Sequence, residues 1–234
     1  MRHHWRRPGP GRTICRVAPR PSRLTPFALA GIAGPCVFTA LVVFQAARQP
    51  DYSDVELPIS ALAAWPLGWL QNLNFYVFGA LLIAFAAGLH LGVRPTPGGV
   101  WGPAVLAAGG VGTILAGVFP MLRGSDGAVV EPVSHIVAAF VTFLGIGAGY
   151  TLISRRLRRD PHWASVAGRT LAVGAAIVLG FLLMAPLAAA PVGPLHRYFG
   201  LLQRAILMVW FPWQLVLALR LLRAPRQRAE VKFP

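Results

Sequence analysis

Six long apolar stretches dominate the chain, at approximately 27–47, 72–93, 101–122, 133–154, 164–187 and 199–222. Each supplies the ~20 residues that an α-helix needs to cross a ~30 Å hydrocarbon core at about 1.5 Å per residue. Inside lipid a segment can satisfy its own backbone only as a helix or in a closed barrel, so runs of this length read as spanning helices. The expected fold class is all-α, a polytopic bundle of six transmembrane helices over residues 26–223. An N-terminal tail, 1–25, and a C-terminal tail, 224–234, flank it. The first run exceeds the ~7–15 residue core of a signal peptide, and its basic leader is long and rich in proline, so it reads as retained.

Charge decides between the two orientations. With 22 basic and 7 acidic residues the chain carries a formal +15, which in a water-soluble protein would suggest a nucleic-acid partner. Here the charges fall between the apolar runs, as expected of membrane topology, and no nucleic-acid partner is expected. One side collects seven arginines of the first tail, Arg94, the group Arg155, Arg156, Arg158 and Arg159, and the terminal Arg220, Arg223, Arg226, Arg228 and Lys232. The other side has Arg48, Arg123 and Arg197, together with Asp51, Asp54, Glu56, Asp126 and Glu131. Cytoplasmic loops are enriched in Lys and Arg, so both termini are expected in the cytoplasm. The basic cytoplasmic face is expected to attract anionic lipids at about 1 kcal/mol per residue near the surface. The proline- and arginine-rich first tail cannot bury a core and reads as disordered. Cys15 lies in that tail and Cys36 within an apolar run, so a disulfide between them is not expected.

Helices in lipid associate through small residues that let backbones approach. Gly88 and Gly92, and Gly145 and Gly149, stand four apart, while Gly109, Gly110, Gly112 and Gly117 crowd the third run. His135, Thr142 and Gly149 recur at seven-residue spacing, a polar and small stripe that should face the bundle interior. Pro186 and Pro212 should bend or terminate their helices.

Ionisable groups in or at the edge of the membrane are functional candidates by default. Most lie on the expected outer rim: Asp51, Tyr52, Asp54, Glu56 and Ser60 in the first loop, Asp126, Glu131 and His135 around the second, His196, Arg197, Gln203 and Arg204 around the third. Arg204 sits about five residues, or ~8 Å, into the sixth run. Three readings fit it: snorkelling to headgroups, a structural pair with Glu131 or Asp126, or a role in binding substrate. Ser60, His135 and His196 are the candidate catalytic residues, and Asp51, Asp54, Asp126, Glu131, Gln203 and Arg204 the candidate rim or ligand-binding residues. No cofactor is evident. A zinc ion on His135, His196, Asp126 and Glu131 would generate a nucleophilic water, although their spacing is not diagnostic. Metalloprotease, paired-cysteine, nucleophile-elbow and phosphate-loop signatures are all missing from the chain.

Three segments together resemble one family. Asp51-Tyr52-Ser53 through Pro58-Ile59-Ser60-Ala61-Leu62, Gly117-Val118-Phe119-Pro120 with Ser134-His135, and Gly200-Leu201-Leu202-Gln203-Arg204 occur in order on the expected elements. They resemble the motifs of the domain of unknown function 998 family, six-helix bacterial and archaeal membrane proteins, over about residues 27–222. The resemblance implies a six-helix bundle in the plasma membrane and supplies no activity. The sequence thus leaves a non-enzymatic bundle with a polar outer rim as the leading expectation, with a lipid-active, metal-dependent or serine hydrolase of the outer leaflet and a small-solute transporter as alternatives. A transporter is weakened by how little polar material the membrane centre offers beyond Thr113, Thr142 and Gln214.

Overall fold

A computed structural model describes residues 23–49, 51–189 and 196–224, without the side chains of 185, 187–189 and 196. Most of both tails, including the expected disordered segment, falls outside these residues. Six helices form: α1 (Thr25–Ala46), α2 (Gly68–Gly92), α3 (Trp101–Val118), α4 (Val133–Arg158), α5 (Ala164–Ala189) and α6 (Phe199–Arg223). All six are long and apolar enough to span a bilayer. A single 3-10 turn over Ile59–Ala64 precedes α2, and a two-stranded antiparallel hairpin of β1 (Leu122–Arg123) and β2 (Val129–Val130) joins α3 to α4. Each helix packs on its neighbours in sequence, and α6 returns to α1, closing a ring in which α2 also touches α6. The bundle therefore has a hairpin end and an arginine end. Large apolar side chains face outward, Leu183 at 73% and Met208 at 77% exposure. A water-exposed surface of that kind would be unstable, so the protein is a multi-pass membrane protein in a lipid bilayer.

The helix boundaries differ from the sequence expectation in three informative places. α3 ends at Val118 and not near 122, because Pro120 excludes the helical region for Phe119, whose φ of −113° and ψ of 72° break the run. α2 starts at Gly68, four residues early, and so draws Gln71 into the bundle, where it is fully buried. α4 continues to Arg158 and carries Arg155, Arg156 and Arg158 in its last turn, where cations oppose the negative end of the helix dipole. Arg156, which falls in the loop beyond the expected end of the fourth run, is only 4% exposed. It donates to the carbonyls of His90 (2.8 Å), Arg94 (2.8 Å), Gly99 (3.2 Å) and Val93, and so caps the C-terminal turn of α2.

The small-residue faces pack as expected. A Cβ on Gly109 of α3 would lie 2.9 Å from the Ile146 nitrogen of α4, and one on Gly145 would lie 2.8 Å from the Gly109 nitrogen, so these two helices meet backbone to backbone. His135, Thr142 and Gly149 are all buried, on the interior face of α4. Neither proline terminates its helix, since α5 continues through Pro186 and α6 through Pro212. In α1, Pro35 lacks the N–H that would reach the Gly31 carbonyl four residues back. Gln214 of α6 supplies the missing donor, its Nε2 lying 3.2 Å from Gly31 O, while its Oε1 accepts from Trp210 Nε1 at 3.0 Å.

A Gly109→Val substitution should lower stability by about 1–3 kcal/mol through this overpacking. Gly168→Ala on α5, where a Cβ would meet nothing within 4 Å, should stabilise by roughly 0.5–1 kcal/mol. Denaturation of the purified proteins in mixed micelles checks both; equal effects of the two changes would contradict the close α3–α4 approach.

Candidate functional site

At the hairpin end the segment before α2 folds back across the start of α6. Gly200 makes this approach possible, because a Cβ there would stand 2.2 Å from the Leu57 carbonyl oxygen. Leu201 N–H donates to Val55 O (3.0 Å), and Ile59 N–H to Gln203 Oε1 (2.6 Å). Arg204 completes the clamp. It donates to Leu57 O and Gly200 O, both at 3.1 Å, to the Tyr52 hydroxyl at 2.7 Å and to the Asp54 carboxylate. Tyr52 in turn donates to Pro58 O at 3.1 Å. Burial raises the Tyr52 phenol above its usual 10, and Arg204 pulls it back only part-way, so it remains a neutral donor. Arg204 therefore neither snorkels nor pairs with Glu131 or Asp126: its carboxylate is Asp54.

A second latch holds the α3–α4 connection. His135 Nδ1 lies 2.7 Å from Phe119 O; a carbonyl only accepts, so Nδ1 carries a proton, and Nε2 is turned toward the cavity side of the ring. Tyr76 donates to Gly117 O at 3.0 Å, and Ser60 to the Met121 sulfur at 3.1 Å. The break at Phe119-Pro120 is thereby tied to both α2 and α4.

Between the two latches opens a cavity of about 360 Å³ to which all six helices contribute. Aromatic side chains line its body: Phe38, Phe75, Phe78, Trp210 and Phe211 form one cluster, with Phe38 and Phe78 5.1 Å apart and Phe78 edge-on to Trp210 at 5.4 Å. Phe143 and Phe181 stack at 4.9 Å on the α4–α5 side. Thr113 and Thr142 add hydroxyls, each already donated to its own helix, to Gly109 O and Ala138 O. Ser60, Glu131, His135 and Gln203 supply the polar lining. Glu131 is half-buried and has no cation within ion-pair distance among the described residues. Burial lifts its carboxyl above the usual 4.5, and His135 offsets only part of the rise. The Gln203 amide nitrogen and His135 Nε2 likewise have no hydrogen-bond partner among the described residues.

The sequence candidates thus separate into groups. Ser60, Glu131, His135 and Gln203 come together on the cavity wall, and Asp54 and Arg204 stand just behind it in the clamp. Asp51 is exposed, and Asp126 caps the hairpin turn through Ala128 N–H at 3.1 Å, so neither lines the cavity. The His196 side chain lies outside the described part. Among the described residues no three His, Cys, Asp or Glu side chains converge. Sequence reasoning passed over Gln45, Gln71 and Asn74, which are fully buried near the same end. Gln45 Nε2 donates to Gln71 Oε1 (3.0 Å) and Asn74 Nδ2 to Phe38 O (3.2 Å). The signal that could have found them is polar residues three apart, Gln71 and Asn74, at the edge of an apolar run.

A family model described as "Protein of unknown function (DUF998)" matches residues 32–220. No curated protein and no solved structure matches the chain.

The clamp makes a graded prediction. Asp54 is 58% exposed, so Asp54→Asn should cost under about 1 kcal/mol. Arg204→Ala should cost about 3 kcal/mol or more by orphaning buried carbonyls, with Arg204→Lys recovering only part because a lysine lacks the guanidinium fork. Thermal unfolding in detergent reads the order, and an Asp54→Asn loss matching that of Arg204→Ala would show the ion pair, not the carbonyl bonds, to be decisive.

Proposed function

The chain belongs to the DUF998 family, and from that premise and the cavity geometry we propose that it is a plasma-membrane protein, both termini cytoplasmic, that binds a small amphiphile near the outer surface without transforming it. The observation that carries this reading is an aromatic-walled cavity with unpartnered polar groups on one part of its wall. A volume of about 360 Å³ falls within the ~300–1,000 Å³ of small-molecule sites. An apolar body would rest against Phe38, Phe78 and Phe211. Its head would meet the Glu131 carboxylate, which accepts, the Gln203 amide nitrogen, which donates, and the His135 ring edge. A head that donates hydrogen bonds, an amine or hydroxyl, matches that set; a carboxylate is repelled by Glu131. The arginine distribution supports this sidedness, with the hairpin end outside. A serine hydrolase is less well supported, since Ser60 donates to the Met121 sulfur and not to an imidazole.

A solvatochromic long-chain amine titrated into the protein in nanodiscs tests the proposal. Dark analogues with amine or hydroxyl heads should displace it and the carboxylate analogue should not. Ala139→Phe, on the cavity wall, should abolish saturable binding while the protein stays folded. Undiminished binding to Ala139→Phe, or equal competition by the carboxylate, would overturn it.

Glu131 adds a pH dependence whose sign is fixed. Its folded value is raised, so the stability gained by protonating it is fully present below 4.5 and is lost as pH rises through the raised value. Glu131→Gln should therefore be more stable than the parent at neutral pH and indistinguishable from it below 4.5. Amine binding should weaken as pH falls, beginning above 4.5. Parallel unfolding and binding titrations across that range check both directions.

A further inference from the structure

The arginine end holds a second concavity, of about 490 Å³, between the start of α3 and the end of α4. Arg155, Arg156 and Arg159 line it with Trp101 at the rim, and Val105 and Leu152 lie about one turn further along each helix. Arg156 is committed to the carbonyls of His90 at the end of α2 and of Arg94 and Gly99 in the α2–α3 connection. Arg155 and Arg159 are exposed, and neither side chain has a hydrogen bond or ion pair among the described residues. Arg155 lies in the last turn of α4 and Arg159 four residues on, just past the helix end, where like charges repel. No carboxylate among the described residues pairs with them. Asp160 is the one acid at this end among the described residues, and its two oxygens accept from Arg94 N–H (2.9 Å) and His162 N–H (3.0 Å).

We propose that this groove is a binding site for an anionic phospholipid of the leaflet at the arginine end, with the phosphate between Arg155 and Arg159 and the first acyl methylenes against Val105 and Leu152. Guanidinium groups hold phosphate oxygens through paired, geometrically matched hydrogen bonds. Trp101, 65% exposed at the first turn of a spanning helix, marks the depth as that of the headgroups, where tryptophan concentrates. The same helix start places a positive dipole end beside the groove. A soluble phosphate compound would use the arginines but would leave Trp101, Val105 and Leu152 without a role. The site lies at the opposite end of the bundle from the aromatic cavity, so it stands or falls independently of the function proposed for that cavity.

Native mass spectrometry of the full chain, titrated with phosphatidylglycerol and with phosphatidylcholine of the same acyl chains, tests it. The parent should retain phosphatidylglycerol preferentially. Arg155→Ala with Arg159→Ala should weaken that retention by about thirtyfold, whereas Arg158→Ala, which removes a charge from the same last turn outside the groove, should change it little. Val105→Asp should weaken it with both arginines intact. Equal loss in the Arg158 variant would reduce the effect to general surface charge, equal retention of phosphatidylcholine would remove the anion requirement, and displacement by millimolar inorganic phosphate would replace the lipid with a soluble anion; each overturns the proposal.

Discussion

An unpartnered backbone group inside hydrocarbon costs several kcal/mol, and every break in a helix of this bundle creates one. Several polar side chains of the interior are placed at such breaks. Pro35 frees the Gly31 carbonyl and Gln214 reaches it from α6. α2 ends, and Arg156 gathers its last carbonyls from α4. α3 ends at Pro120, where His135 takes the Phe119 carbonyl and Tyr76 the Gly117 carbonyl. The extended run before α2 gives its Leu57 carbonyl to Arg204 and its Ile59 N–H to Gln203. In each case the donor or acceptor comes from another helix, so satisfying the backbone also fixes which helices are neighbours.

That division of labour separates structural polarity from surplus polarity. Arg204 and Arg156 look like functional residues by charge and depth, yet their hydrogen bonds are accounted for by carbonyls of this chain. Glu131, the second nitrogen of His135 and the amide nitrogen of Gln203 are different: they line the cavity wall without a described partner. The raised proton affinity of Glu131 has the same origin, burial that His135 offsets only in part. Replacing Glu131 should raise stability, and the proposed binding is what would give that cost a use.

The six spans and their order were legible in the sequence because a spanning helix is written in twenty consecutive residues. The three motifs were legible as motifs, but their meeting was not: Ile59 and Gln203 are 144 positions apart, and no local pattern says which loop folds over which helix. Arg204 was recognisable as needing a partner, whereas the choice of Asp54 over Glu131 depends on the tight approach at Gly200. Arg156 was misassigned for the same kind of reason. A run of arginines after an apolar stretch has one appearance in sequence, whether a given member faces headgroups or turns inward to cap a neighbour.

The cavity itself supplies a last physical argument about occupancy. The cavity of about 360 Å³ is open to its surroundings, so what fills it is decided by how well a filler meets both parts of the wall. Water is a poor filler, because each buried water needs two to four polar partners and the two threonine hydroxyls in the body are donated to their own helices. Apolar matter with a polar end satisfies both parts of the wall at once: the aromatic body recovers its dispersion contacts, and Glu131, His135 and Gln203 recover theirs in hydrogen bonds. An acyl chain lent by the surrounding lipid would fill the first part but leave the second unsatisfied. The polar wall is therefore where a specific ligand would be distinguished from bulk lipid.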